Sequence, residues 1–372
     1  MRVSGRARAT MAALAAHGLV GSGRTLPGIP LGPGEWRALL DEVLDQRLTG
    51  FLIWAIRDGA LATTPGQCRE AVEAHARARW FVLLLEELLV EFVDRLEAAG
   101  IPSRVLKGPA AAHLIHRDPE VRTYGDIDLL IPERHIDATV KLLADMGYRR
   151  DRPEPRPGFD RRFGKGVTLR TPGGYPVDLH RTLAAGPFAQ RIRQRDLFVT
   201  SSSFQLRGRR LRALSAEERF LHACLHAVLE AAPPGLVSLR DLAQMAMTTD
   251  LDMTRVQHLC GSWGAGAAVA SAVQSAWSAF QLNEERPISV WACRNRPTRS
   301  EARTLRRYPQ APDGYPIMAL TELPAVPGVR AKVSYLRAML TPDRDYLDAR
   351  CERHVGRWIR AARTVLDRRR VR

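Results

Sequence analysis

With 372 residues, 45% of them hydrophobic and 26% charged, the chain is long and apolar enough to bury a substantial core and to fill two or three globular domains. Lys and Arg total 56 against 40 Asp and Glu, a net charge of +16, and only four of those cations are Lys, at positions 107, 141, 165 and 332. Such a balance draws phosphate-bearing partners, but GC-rich coding also yields an Arg excess, and no recognised nucleic-acid module accompanies it. Five widely spaced cysteines without a Cys-x-x-Cys show no cysteine zinc framework and fit reduced thiols. The apolar run Met11 to Ala16 is too short for a secretory signal. The run Trp80 to Leu85 is cut off by Glu86, Glu87 and Glu91, so it cannot span a bilayer. A soluble cytoplasmic protein without a transmembrane segment is expected.

In chain order, the Gly-, Ala- and Pro-rich start (residues 1–33) reads as poorly ordered. Trp36, Leu39, Leu40, Val43 and Leu44 have helical spacing, and Phe51 to Ile56 suggests a second helix. A long helix from Cys68 to Ala99 ends at Gly100-Ile101-Pro102. A short strand at Arg104 to Leu106 and a helix from Pro109 to about His116 come next, then a strand from Asp126 to Ile131 and a helix from Glu133 to Met146. The prolines 153, 155 and 157 form a rim loop. Arg162 to Leu169 and Tyr175 to Leu179 form an antiparallel pair. Ser215 to Glu218 has the form of a capping box opening a helix to Ala231, with further helices at Leu239 to Met247, Met253 to Gly261 and Ala265 to Phe280. The pattern gives an α+β class. An N-terminal helical extension (1–66) precedes a core with a small mixed β-sheet and helices on one side (67–212), a helical domain (213–282), a loop-rich linker (283–325) and basic C-terminal helices (326–372).

Chemistry concentrates on one stretch. Asp126 and Asp128 are separated by one apolar residue at the head of an Ile/Leu run, so in a strand they share a face. Asp178, in Val177-Asp178-Leu179-His180, offers a third carboxylate on another strand. Three such oxygen donors suit a hard divalent cation such as Mg²⁺. Lys107 sits in a strand-to-helix turn, where a phosphate would meet its ammonium and the first N–H groups of the helix. Arg122 is placed to neutralise a triphosphate, and His180 shares the face of Asp178. His222 and His226 stand one helical turn apart, flanked by Glu218 and Glu230. Their spacing admits a zinc pair, a cleft-facing pair or a polar flank beside the buried stripe, with zinc the least favoured.

The residues Leu106-Lys107-Gly108, Arg122 through Leu130, Gly147-Tyr148 and Val177 through His180, with Leu221 through Ala227 and Leu239 through Ala243, give the sequence a resemblance. The chain resembles the bacterial, uncharacterised nucleotidyltransferase branch of the DNA polymerase beta superfamily over about residues 70 to 280. Where the superfamily usually has Gly-Ser, Lys107-Gly108 stands, the form usual in that branch. The resemblance implies a nucleotidyltransferase core in which Asp126, Asp128 and Asp178 are catalytic and bind Mg²⁺ or Mn²⁺. It further implies nucleotide contacts from Lys107, Gly108, Arg122 and His180, and a cleft that takes in His222, His226 and Asp241. The activity so implied moves a nucleoside monophosphate from an NTP to a hydroxyl or phosphate acceptor (small molecule, peptide or tRNA) and releases pyrophosphate. Two other readings stay open: a noncatalytic nucleotide- or RNA-binding relative, and a tRNA-modifying toxin. The basic C-terminal helices suit tRNA or an acidic partner.

Overall fold

The computed structural model describes residues 5–229, 233–307 and 322–349. Its first helix, α1 (Gly5–Ala16), lies where the composition suggested poor order. Met11, Leu14, Ala15 and Ala16 are buried there, so small residues that carry no signal alone are ordered by what packs on them. After α2 (Pro33–Asp45) and α3 (Thr49–Arg57), the hydroxyl of Thr64 accepts from the Gln67 N–H while the Gln67 side chain accepts from the Thr64 N–H. This capping box, with Pro65 in the first turn, opens α4 (Pro65–Ala98), a 34-residue helix about 50 Å long. Gly100, at φ 69°, lets the chain turn out of it.

The sheet has seven strands: β1 (Arg104–Val105), β2 (Ile127–Leu130), β3 (Arg149–Arg150), β4 (Gly166–Arg170), β5 (Pro176–His180), β6 (Ser202–Leu206) and β7 (Arg209–Ala213). Their order is β3-β4-β5-β2-β1-β7-β6. The expected antiparallel pairing of β4 with β5 is present, although α7 (Phe159–Arg162) takes up the start of the predicted first strand. Strands β2 and β5 run parallel, with Asp128 opposite Asp178 and Leu130 opposite His180. Alternation then sorts the faces. Ile127, Leu129, Val167, Leu169, Val177 and Leu179 join one core with Leu85, Leu89, Phe92 and Leu96 of α4, together with α5 (Lys107–Leu114) and α6 (Ile136–Asp145). Asp128, Asp178 and His180 belong to the opposite face.

A second core joins α1 to α3 with α9 (Ala216–Leu229), α10 (Leu236–Thr248), α11 (Met253–Trp263) and α12 (Gly266–Phe280), after the short α8 (Pro187–Arg191). The described residues of 5–66 and 213–282, far apart in the chain, therefore share one hydrophobic interior. The stretch 283–325, expected as a linker, differs from that reading: it holds α13 (Pro287–Arg294), opened by Pro287 and packed on α12, and α14 (Arg299–Arg307). Ile288 and Ala292 bury against the helical core, which explains the order that its Pro and Arg content concealed. Of the expected basic C-terminal helices (326–372), α15 (Val329–Leu340) and α16 (Arg344–Asp348) are present. Residues 350–372 of that expectation lie outside the described residues. No described helix is long and apolar enough to cross a membrane.

Candidate active site

Asp128 sits in the middle of β2, fully buried. Its Oδ1 accepts from Lys107 Nζ at 2.8 Å and from His180 Nε2 at 2.6 Å, while Oδ2 is buried with no hydrogen-bond partner among the described residues. Burial alone would raise this carboxyl; Lys107 and His180 instead hold it well below the usual range. Lys107 reaches it from a backbone at φ 46°, a left-handed conformation that costs a non-glycine residue about 1 kcal/mol or more and that points the ammonium into the site. Gly108 follows for a steric reason: a Cβ there would lie 2.5 Å from the Cβ of Tyr124. Tyr124 is itself fixed by donating its hydroxyl to Glu86, at 3.1 Å.

The parallel register brings Asp178 beside Asp128, and the antiparallel register brings Thr168 beside Asp178, whose Oδ1 accepts from the Thr168 hydroxyl at 2.6 Å. Donor atoms of Asp128, Asp178 and His180 all lie within 4.8 Å of one another. His180, and not Asp126, is the third member of this trio. Asp126 precedes the first paired residue of β2, feels the charges of Asp128 and Asp178, and lines a cavity beside Lys107. Burial, and then the neighbouring charge of Asp128, push its carboxyl upward. The His180 imidazole is pushed below its ordinary value by burial. Its bond to a carboxylate requires a proton on Nε2.

That cavity, of about 110 Å³, separates the polar face of the sheet from the helical core. Lys107, Gly108, Arg122 and Asp126 line one wall, and His222 and His226 of α9 with Asp241 of α10 line the other. His222 is buried, which drives its imidazole far down, and its ring meets that of His180 edge-on at 6.4 Å. Glu230, the outer member of the zinc alternative, lies outside the described residues. Arg122, expected on a phosphate, has a protein partner. Its Nε donates to both Asp241 oxygens at 2.9 Å, and His116 meets Oδ1 at 3.0 Å. Burial would raise the Asp241 carboxyl, but Arg122 and His116 hold it at about 2.

Arg47 and Arg219 complete the cationic lining and were not singled out in the sequence. Arg47 sits in the α2–α3 turn at φ 57°, and its carbonyl accepts from the Thr123 hydroxyl at 3.1 Å. Nothing near it in sequence points to a site. Thr168, by contrast, could have been found, since the expected β4–β5 pairing places a residue of its type opposite Asp178.

A lysine at a strained helix start, a buried and a half-buried carboxylate on adjacent parallel strands and a cation-lined cleft define a transferase that handles phosphate groups. The chain belongs to the uncharacterised nucleotidyltransferase family, whose profile matches residues 32–281. Two solved structures overlap with it in part. The antibiotic-resistance factor ANT(2'')-Ia shares 16% identity at a TM-score of 0.30, over 54% of this chain and 96% of its own. An antigenic nucleotidyltransferase-like protein from Paracoccidioides brasiliensis shares 18% at a TM-score of 0.33, over 53% and 92%. No curated protein matches the chain.

Proposed function

We propose that the protein transfers a nucleoside monophosphate from an NTP to the hydroxyl or phosphate of an acceptor and releases pyrophosphate. The observation that carries this reading is Asp128: a fully buried carboxylate whose Oδ2 lacks a hydrogen-bond partner among the described residues, with donor atoms of Asp178 and His180 within 4.8 Å. Burying a polar atom without a partner is costly, and a divalent cation satisfies this oxygen-rich donor set. Asp128 and Asp178 would hold Mg²⁺ or Mn²⁺, with Asp126 as the further carboxylate at the cavity edge. Such an ion, when bound, supplies Lewis-acid polarisation of phosphate oxygens.

The chain's own residues divide the remaining work. Lys107, Arg47 and Arg219 gather the anionic triphosphate at the start of α5, where backbone N–H groups add to the attraction. Asp178, steadied by Thr168, accepts the proton of the attacking hydroxyl as the new oxygen–phosphorus bond forms and the bond to the pyrophosphate oxygen breaks. His180 keeps Asp128 oriented, and His222 and His226 face the nucleotide from the helical side. Catalysis of this kind is mainly positioning and charge stabilisation.

Thermal unfolding with each of the four NTPs, with and without Mg²⁺, tests the proposal on the wild type and on an Asp126→Asn/Asp128→Asn variant. At a hundred times its dissociation constant a bound NTP adds about 2.7 kcal/mol of stability. A Mg²⁺-dependent shift that the double variant loses is the expected result. If no NTP shifts the wild type, the donor site is wrong and a noncatalytic role moves forward.

A further inference from the structure

A second cavity, of about 430 Å³, opens on the same polar face of the sheet. The strand order fixes its relation to the first. Lys107 follows β1 on one side of the β2–β5 carboxylates, and β4 lies on the other. Thr168 and Gly166 of β4 line this second chamber, and Thr168 donates to Asp178. One chamber thus ends on the lysine and the other on the proton-accepting aspartate.

The walls of the second chamber have a distinct chemistry. Phe159 and Phe163 surround Tyr335, with ring centroids 6.0 and 5.3 Å from it, stacked and edge-on respectively. Buried Glu322 accepts from the Tyr335 hydroxyl at 2.5 Å and from a backbone N–H at Gly186, and it feels the charge of Arg181. Asp160 is paired with Arg150, and Asp151 with Arg170 and Arg152, the last two-thirds exposed. Arg152 and Lys165 are the cationic members of the described lining. A volume of this size, faced by rings and a few polar groups, suits a small molecule. A protonated amine would be drawn both to the ring faces and to the carboxylate of Glu322.

On the transferase reading above, we infer that this chamber seats the acceptor, a small hydroxylated amine with a flat apolar face. Its hydroxyl approaches Asp178 from the β4 side; its oxygen bonds to the α-phosphorus, its proton passes to Asp178, and pyrophosphate leaves on the Lys107 side. Glu322, Tyr335, Met339 and Tyr346 all lie beyond residue 281, where the family profile ends. Acceptor choice therefore resides in a part of the chain outside that match.

Ligand-observed saturation-transfer NMR on the full chain tests the inference with phenylethanolamine, phenylethanol (no amine) and ethanolamine (no ring). Phenylethanolamine should bind, and each truncated probe should bind about tenfold more weakly, the effect of losing one buried contact to a charge or ring. Glu322→Gln should remove the preference for the amine, and Met339→Trp, which fills the chamber, should remove binding. Both variants should keep the Mg²⁺-dependent NTP shift. Absence of phenylethanolamine binding, or binding indifferent to Met339→Trp, overturns the assignment while the NTP shift stands. A missing NTP shift in a wild type that still binds the probe overturns the transferase reading, and the acceptor role with it.

Discussion

Two aspartates are buried within the same cleft region, and they are built in opposite ways. Asp241 has both oxygens occupied, by the guanidinium of Arg122 and the imidazole of His116, and so ties α10 of the helical core to the loop before β2. Asp128 has two donors on one oxygen and none on the other among the described residues. A satisfied carboxylate is a fastener, whereas one left half-satisfied at a confluence of strands is available to a ligand. Burial and charge, which the two share, do not separate these roles; the accounting of lone pairs does.

The largest effect should come from breaking the fastener. Asp241→Ala leaves Arg122 buried without its partner and should cost about 3–5 kcal/mol in urea unfolding, the usual penalty for removing one member of a buried pair. A loss below about 1 kcal/mol would show Arg122 to be repaired by water, and the contrast with Asp128 would weaken.

Asp128→Asn should act on the reaction more than on the fold. Nucleotidyl transfer should drop by at least about 100- to 1000-fold in a labelled-NTP assay, a factor typical of removing one electrostatic contact at a reacting centre. Residual transfer near the wild-type rate would move the metal site away from β2.

Acid sharpens the comparison without mutation. The Asp241 carboxyl is held at about 2, below its ordinary 3.8, so its ionised form stabilises the folded state above the ordinary value. That contribution, about 2 kcal/mol, should fade as pH falls from about 4 to about 2. In urea titrations across this range, the wild type should lose it and Asp241→Ala should show a correspondingly flatter profile.

The smallest effect concerns the third carboxylate. Thr168→Val removes the hydroxyl that sets Asp178 and should slow transfer about tenfold, with NTP binding in the thermal assay unchanged. An equal loss of NTP binding would mean that Thr168 serves the donor side.

Lys107-Gly108, Asp128 and Asp178 stand out in the sequence because strand alternation and a strand-to-helix turn are local rules, read over a handful of residues; the same alternation put Asp126 on the strand, which begins one residue later. The α+β class followed from the same periodicities. The place of His180 on Asp128 was not legible, since it depends on the register between two strands 52 residues apart. The partnership of Arg122 with Asp241 spans 119 residues and requires the helical core to dock on the sheet, which no pattern in either segment announces. The same holds for α1, whose alanines become a core only against other helices, and for Tyr335 and Glu322, which acquire meaning from the strand they cover.

Helix α4 carries a consequence for how the molecule comes apart. Its first turns bury Ala71 in the helical core, and its later turns bury Leu85, Leu89, Phe92 and Leu96 beneath the sheet. A single continuous rod of hydrogen bonds is thus common property of both interiors, and fraying it from either end withdraws support from the other. The two interiors share this helix, so heat or denaturant should dismantle them in a single transition.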